Sequence, residues 1–170
     1  MALDALILGL LDLRPMTGYD LKKTFDGTVA HFWSADQSQI YRTLARLEND
    51  GLLDVRVIPQ EGRPDRREHR LTEQGRATLA GWLRSPLPEE KPREPFLARL
   101  FFVGRADDPE QVRTLIAERR EAGRRHLATL ESIPVADGDL AARLRSATLR
   151  NGMLQAQAEL TWLDELEGAL

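Results

Sequence analysis

Apolar residues near the start of the chain recur three and four positions apart, as Leu3, Leu6, Ile7, Leu10 and Leu13. This spacing predicts a helix. Two further leucines, Leu8 and Leu11, widen its apolar surface, so we expect the helix to be buried. Arg14-Pro15 should end it, because the residue before a proline avoids helical backbone angles.

The second helix is predicted from its first turn. Thr17 and Asp20 have the spacing of a capping box, in which each side chain bonds the other residue's backbone N–H. The helix that follows should cover residues 18–25. It is expected to bury Tyr19, Leu21 and Phe25 and to expose Lys22 and Lys23.

A third helix is predicted over residues 37–50, because Asp36 and Gln39 repeat the N-terminal capping signature. Gly51 should provide its left-handed C-terminal cap. The apolar stripe of this helix consists of Ile40, Leu44 and Leu47.

Beyond the third helix the pattern changes from helical to alternating. Residues 52–58, "LLDVRVI", alternate as in a half-buried strand. The proline and glycine content of residues 59–65 predicts a turn. A second strand is expected at residues 66–71, and Thr72 should cap a fourth helix over residues 72–83. This order of elements predicts a winged helix-turn-helix domain with a two-stranded wing.

The rest of the chain is predicted to be helical. Four prolines in residues 85–95 indicate a linker, and a short apolar helix follows over residues 96–104. Asp108-Pro109 opens a longer amphipathic helix, and the last helix runs from about Leu140 to Leu166. We therefore predict a mainly α fold with a winged helix-turn-helix domain at residues 1–84, a linker at 85–95 and a helical dimerisation domain at 96–170.

Two long helices and a short one cannot easily bury all their apolar faces. They could fold back on the first domain as a cap, or pair with the same helices of a second chain. We favour the second arrangement, since symmetric pairs are the commonest oligomers. The residues expected in the dimer interface are Leu3, Leu6, Leu10, Leu115, Leu127, Leu144, Leu154 and Trp162.

Composition narrows the class of protein. The 170 residues include no cysteine, which excludes disulfides and thiolate metal sites and fits the cytoplasm. His31, His69 and His126 are scattered, and no phosphate-loop, nucleophile-elbow or zinc motif is present. We therefore expect no enzymatic activity, no cofactor and no metal. The apolar first segment is too short to span a bilayer.

Three motifs resemble the PadR family of transcriptional regulators: "GYDL" at 18–21, "IYRTLARLENDGLL" at 40–53 and "RLTEQGRATL" at 70–79. The segment "REPFLARLFFVG" at 93–104 resembles the subfamily with the larger C-terminal helical domain. The resemblance covers nearly the whole chain. It implies a homodimeric bacterial repressor that binds double-stranded DNA through its winged helix domains and can respond to a small aromatic or hydrophobic effector.

Two positions depart from the family's pattern. His69 stands where an aromatic residue often precedes the "RLT" motif, and Gln37 stands where proline often begins the recognition helix. Neither change should disturb the fold.

The polar face of the third helix is the candidate surface for reading DNA bases. Arginine, glutamine and serine can bond base edges in the major groove, although such a face could also be merely solvated. The candidates are Gln37, Ser38, Gln39, Arg42, Thr43 and Arg46, and Tyr41, whose ring could pack inward while its hydroxyl reaches a phosphate. On the second helix, Lys22 and Lys23 could bind phosphates or be merely solvated, and Tyr19 is a further candidate for DNA contact.

The stretch "GRPDRREHR" places arginines at the tip of the predicted wing. Arg63, Arg66 and Arg67 could lie along the DNA backbone or enter the minor groove, where the potential is strongly negative. Asp65 and Glu68 could instead hold these arginines by pairing within the hairpin.

Two further interpretations stay open. A winged helix can serve as a protein-interaction module instead of a DNA-binding domain, and it should then expose an apolar patch on the third helix. An effector pocket at an interface between domains or chains could be lined by Trp33, Trp82, Phe101 and Trp162, each of which could equally be ordinary core.

Overall fold

The structure is a computed structural model that describes residues 2–62, 65–87, 89, 93–106, 108–135 and 137–170. It divides into two compact units, Met1–Pro88 and Glu89–Leu170. The first contains helix α1 (Ala2–Leu13), strand β1 (Met16–Thr17), α2 (Gly18–Asp26), α3 (Gln37–Asn49), β2 (Leu53–Ile58), β3 (Arg66–Leu71) and α4 (Glu73–Arg84). The second contains α5 (Pro95–Val103), a 3-10 turn (Gly104–Ala106), α6 (Pro109–Glu131) and α7 (Leu140–Gly168).

The predicted helix starts are confirmed. Thr17 and Asp20 form a capping box at α2, and Asp36 and Gln39 form another at α3. Gly51 has a φ of 70°, as a left-handed cap requires. In the predicted linker, residues 88 and 90–92 lie outside the described residues.

The sheet has three antiparallel strands in the order β1-β3-β2. The predicted two-stranded wing is confirmed as β2 and β3. β1 is a third strand that the sequence did not predict, because two residues are too few to show an alternating pattern. On the central strand, His69 lies opposite Met16 of β1 and Val55 of β2.

The core of the first unit is built from the apolar stripes of its helices. Phe25 and a set of aliphatic side chains are almost completely buried, namely Ile7, Leu8, Leu21, Ile40, Leu44 and Leu47. The strands contribute Leu53 and Leu71 to the same cluster. α3 is therefore fixed by its inner face, which leaves its outer face for other contacts.

In the second unit, α6 and α7 pack together around Val112, Ile116 and Leu163. Arg120 is 13% exposed and joins the two helices through Asp164 at 3.0 Å and Glu167 at 2.6 Å. No side chain of α5 is buried within the part of the chain that the structure describes.

Candidate nucleic-acid interface

The outer face of α3 carries polar side chains beside an ordered helix start. Asp36 accepts hydrogen bonds from the Gln39 backbone N–H and the Ser38 hydroxyl, both at 2.7 Å. These bonds, that of the Gln39 N–H first, lower the pKa of Asp36. Arg42 Nε donates to the Ser38 carbonyl at 3.3 Å, so its guanidinium lies along the exposed side of the first turns. Ser38, Gln39, Arg42 and Arg46 are exposed, as predicted for the outer face, and Gln37 and Tyr41 are exposed as well.

The prediction that Thr43 lies on the outer face of α3 was wrong, because its side chain is only 7% exposed. It lies three residues after Ile40 and four before Leu47, which places it on the buried stripe of the helix. Thr43 therefore packs inside the unit and cannot reach DNA from this position.

The prediction that Tyr19 lies on the buried face of α2 was wrong, since its side chain is 70% exposed. Leu21 and Phe25 of the same helix are buried, as expected. Lys22 is half-buried and pairs with Asp26, and Lys23 is exposed.

Tyr41 connects α3 to the start of α2. A Cβ built on Gly18 would lie 2.7 Å from Cε1 of the Tyr41 ring and 3.1 Å from its hydroxyl oxygen. The ring therefore lies directly on the Gly18 backbone, and only glycine leaves it that space. Tyr41 is still 46% exposed, so one part of its ring packs on Gly18 while another part remains accessible.

The wing arginines are held by carboxylates of the helices. Arg67 Nη2 donates to both carboxylate oxygens of Glu48 on α3, each at 2.9 Å. Arg66 Nη2 lies 3.5 Å from Asp20 Oδ2 on α2. Arg63, the third predicted wing contact, lies outside the described residues.

Asp65 and Glu68 were the two carboxylates predicted to pair with arginines within the hairpin. Among the described residues, such a pair is seen for Glu68. Glu68 Oε2 accepts from Arg70 Nη2 at 2.9 Å. Asp65 instead accepts from the Gln60 backbone N–H at 3.3 Å. Arg46 pairs with Asp4 of α1 and, at 4.0 Å, with Asp50.

A cleft of about 820 Å3 separates the wing from the start of α2 and the outer face of α3. His69 lies in its lining and is 5% exposed. Burial lowers the pKa of His69, the Glu48 carboxylate raises it, and the Arg67 guanidinium lowers it. At neutral pH this imidazole is therefore neutral. Glu48 is not among the predicted site residues and Asp20 was predicted only as part of a helix cap, because each carboxylate meets its arginine only through the fold.

The predicted dimer residues differ in burial. Leu10 and Leu115 are buried within their own units, and Leu3 and Leu6 pack partly against the core of the first unit. Leu127 is half-buried, whereas Leu144 and Leu154 are 57% and 48% exposed. Of these predicted residues, the exposed ones on α7 are thus available for contact with a second chain.

The predicted effector residues fall two in each unit. Trp33 packs against the core of the first unit, and Trp82 is 43% exposed. Phe101 is 81% exposed, and Trp162 meets Phe96 edge-to-face with the ring centroids 6.2 Å apart.

Among the described residues, no group of three histidine, aspartate or glutamate side chains is placed to hold a metal ion. Within the same residues, no helix has the length and apolarity needed to cross a membrane.

Three helices, a short sheet and an exposed, arginine-bearing third helix together define a winged helix-turn-helix fold, the fold of many DNA-binding regulators. Residues 7–81 match the transcriptional regulator PadR-like family, and residues 92–170 match the virulence activator alpha C-terminal family. The chain belongs to the PadR-like family of transcriptional regulators. It is accordingly a regulator and not an enzyme.

Two relatives and a crystal structure of one of them illustrate the similarity. A probable transcriptional regulator of Mycobacterium tuberculosis is 32% identical over 100% of this chain and 98% of its own. The negative transcriptional regulator PadR of Bacillus subtilis is 33% identical over 57% of this chain and 54% of its own. Its crystal structure in complex with operator DNA covers 99% of this chain and 98% of its own at a TM-score of 0.85 and 22% identity.

The same Bacillus subtilis protein in complex with p-coumaric acid matches at a TM-score of 0.72 and 23% identity, covering 99% of this chain and 98% of its own. The Vibrio cholerae virulence activator AphA is 30% identical at a TM-score of 0.73, covering 98% of this chain and 96% of its own. These likenesses extend over both units of the fold.

Proposed function

We propose that the protein is a cytoplasmic homodimeric repressor that binds an inverted-repeat operator through α3 and the wing. The observation that carries the proposal is the outer face of α3, which exposes Gln39 and Arg42 instead of an apolar patch. A protein-interaction module would need the apolar patch. The negative regulator PadR of Bacillus subtilis, 33% identical over 57% of this chain, supports repression.

Each side chain has a proposed role in the complex. The first residues of a recognition helix reach base edges, so Gln37, Ser38, Gln39 and Arg42 would read the sequence. Tyr41, Tyr19, Lys22, Lys23 and Arg46 would contact phosphates, with Arg63, Arg66 and Arg67 on the wing.

The dimer is proposed to form through the apolar residues that the second unit leaves exposed. Leu144, Leu154 and Trp162 lie on α7, and α5 adds Phe101 and Phe102 at 81% and 59% exposure. Exposed apolar residues of this size mark association surfaces. A second copy supplies the same residues, which is the requirement of a twofold interface.

The proposal is tested by selecting operators from random duplexes with the purified protein. We expect an inverted repeat with half-sites about one helical turn apart, bound about a thousandfold or more tighter than a scrambled duplex. Arg42→Ala should weaken operator binding about 10- to 100-fold, because one bidentate base contact is lost. Binding to the scrambled duplex should barely change.

Arg76→Ala is the matched control. Arg76 is an exposed arginine of the first unit that pairs with Asp12 at 3.8 Å, away from the candidate surface. Both variants should sediment as dimers. An Arg42→Ala variant with unchanged operator affinity and footprint would contradict the role of α3. A selection that enriches no sequence would favour the interaction module.

We also propose that a small aromatic or hydrophobic effector releases the operator. Support comes from the p-coumaric acid complex of the Bacillus subtilis protein. The predicted lining residues Trp33, Trp82, Phe101 and Trp162 make tryptophan fluorescence the direct readout. A phenolic acid that releases the operator without changing this fluorescence would contradict the predicted pocket.

A further inference from the structure

The wing arginines are engaged by carboxylates that belong to the helix-turn-helix. Arg67 makes a two-oxygen contact with Glu48, which lies on α3 next to the buried Leu47. Arg66 approaches Asp20 near the start of α2. Both contacts lie at the cleft between wing and helices, on the surface proposed to meet DNA.

We infer that Glu48 competes with DNA phosphates for Arg67 and thereby weakens sequence-independent DNA binding. Asp20 acts on Arg66 in the same way at a longer distance. The inference rests on the proposed function, since it requires the wing to approach the DNA backbone.

Competition follows from the geometry of the guanidinium group. Its N–H groups bind a carboxylate or a phosphate in the same forked manner. Nη2 of Arg67 donates to both oxygens of Glu48, so the forked pair of Nη1 and Nη2 can bind a phosphate only after Nη2 leaves Glu48. The vacated carboxylate then lies within a screening length of the DNA and repels it.

The size of the effect is set by exposure. The Arg67 and Glu48 side chains are 57% and 35% exposed, so solvent screens their attraction. Pairs of this kind correspond to about a two- to fivefold change in a binding constant. The factor should be the same for operator and random duplexes, because phosphate contacts carry no sequence information.

The consequence concerns how tightly the protein holds DNA of any sequence. A wing of unopposed arginines would hold any duplex, whereas a wing that must first exchange partners contributes less to non-specific binding. Because the factor is the same for operator and random duplexes, the ratio of the two affinities does not change, and what falls is the affinity of the protein for DNA of any sequence.

Glu48→Gln tests the inference, since it removes the charge and keeps the shape and the helix propensity. Asp12→Asn is the control, because it also removes one carboxylate from an arginine, Arg76, of the first unit. Asp20 is not chosen because its carboxylate also completes the capping box with Thr17. Affinity for a random-sequence duplex is measured by fluorescence anisotropy, with equal thermal melting as the check on folding.

Glu48→Gln should bind the random duplex about two- to fivefold tighter than the wild type, and Asp12→Asn should not. The gain should vanish when Arg67→Ala is present in both proteins. A gain that persists without Arg67 would overturn the inference, because it would reflect net charge alone. The inference would also be overturned if Glu48→Gln bound the random duplex with the same affinity as the wild type while Arg67→Ala bound it more weakly.

Failure of the proposed function has a different signature. If Arg66→Ala and Arg67→Ala both bind the random duplex as tightly as the wild type, neither of these two arginines contacts DNA. That result overturns the proposed wing contact, and the inference falls with it.

Discussion

Gly75 offers a quantitative test of how the wing is joined to α4. It lies in the first turn of α4, where its backbone N–H donates to the Thr72 hydroxyl at 3.0 Å. A Cβ at this position would lie 2.2 Å from the carbonyl oxygen of Leu52. That oxygen accepts the Thr72 backbone N–H at 3.1 Å. Gly75→Ala therefore sets a methyl group against backbone atoms that no side-chain rotation can move.

The expected cost is the balance of three effects. Overpacking costs about 1–3 kcal/mol, and a weakened backbone hydrogen bond adds about 1 kcal/mol. Replacing glycine within a helix returns about 1 kcal/mol. The net loss is about 1–3 kcal/mol, which corresponds to a fall in melting temperature of about 5–20 °C for a unit of this size.

Gly81 in the same helix is the matched control, since no described atom lies within 4 Å of a Cβ built there. Gly81→Ala should stabilise the unit by about 0.5–1 kcal/mol. Both variants are unfolded with urea in a Trp162→Phe background, so that fluorescence reports only Trp33 and Trp82 of the first unit. If Gly75→Ala proved as stable as Gly81→Ala, the close approach to Leu52 would be refuted.

Two further predictions concern titration and ion pairing. Burial lowers the pKa of His69, so the unfolded chain binds the proton more readily than the folded one. The free energy of unfolding should therefore fall as pH decreases below about 6.5. Urea unfolding across this pH range should show a shallower fall for His69→Phe, and an identical pH dependence would contradict the burial effect. Arg120→Met should cost the second unit about 1–2 kcal/mol, because Arg120 is 13% exposed and bonds two carboxylates. Arg113→Met, which removes an exposed pair with Glu110, should change urea stability by less than about 0.5 kcal/mol, and equal losses would contradict this difference.

Most elements could be predicted because their signals are local. The capping boxes at Thr17 and Asp36 use residues three positions apart, and Gly51 marks a helix end by its own backbone angle. β1 could not be predicted in this way. Its two residues become a strand only through pairing with β3, which lies far along the chain.

The candidate surface was predicted less completely for the same reason. Thr43 was assigned to the outer face from its polarity, although its spacing from Ile40 and Leu47 already placed it on the buried stripe. Tyr19 was expected on the buried side together with Leu21 and Phe25, but the fold leaves it exposed. In both cases position on the helix decides the side, and residue type does not.

The partners of the wing arginines lie beyond any local pattern. Glu48 precedes Arg67 by 19 positions and Asp20 precedes Arg66 by 46, so only the packed sheet and helices bring them together. The Thr17 hydroxyl bond lowers the pKa of Asp20 most strongly, with burial acting against it and Arg66 lowering it further. Asp20 therefore stays charged at neutral pH.

These contacts explain how an arginine-rich wing occurs in a chain with a net charge of −3. The carboxylates that help to make the protein acidic include those that neutralise Arg66 and Arg67 in the absence of DNA. Net charge sums both members of each pair and cancels them, so it carries no information about a surface whose partners are exchanged on binding. What decides binding is whether phosphates displace those carboxylates, and that competition depends on distances of 3.5 and 2.9 Å, which only the folded chain defines.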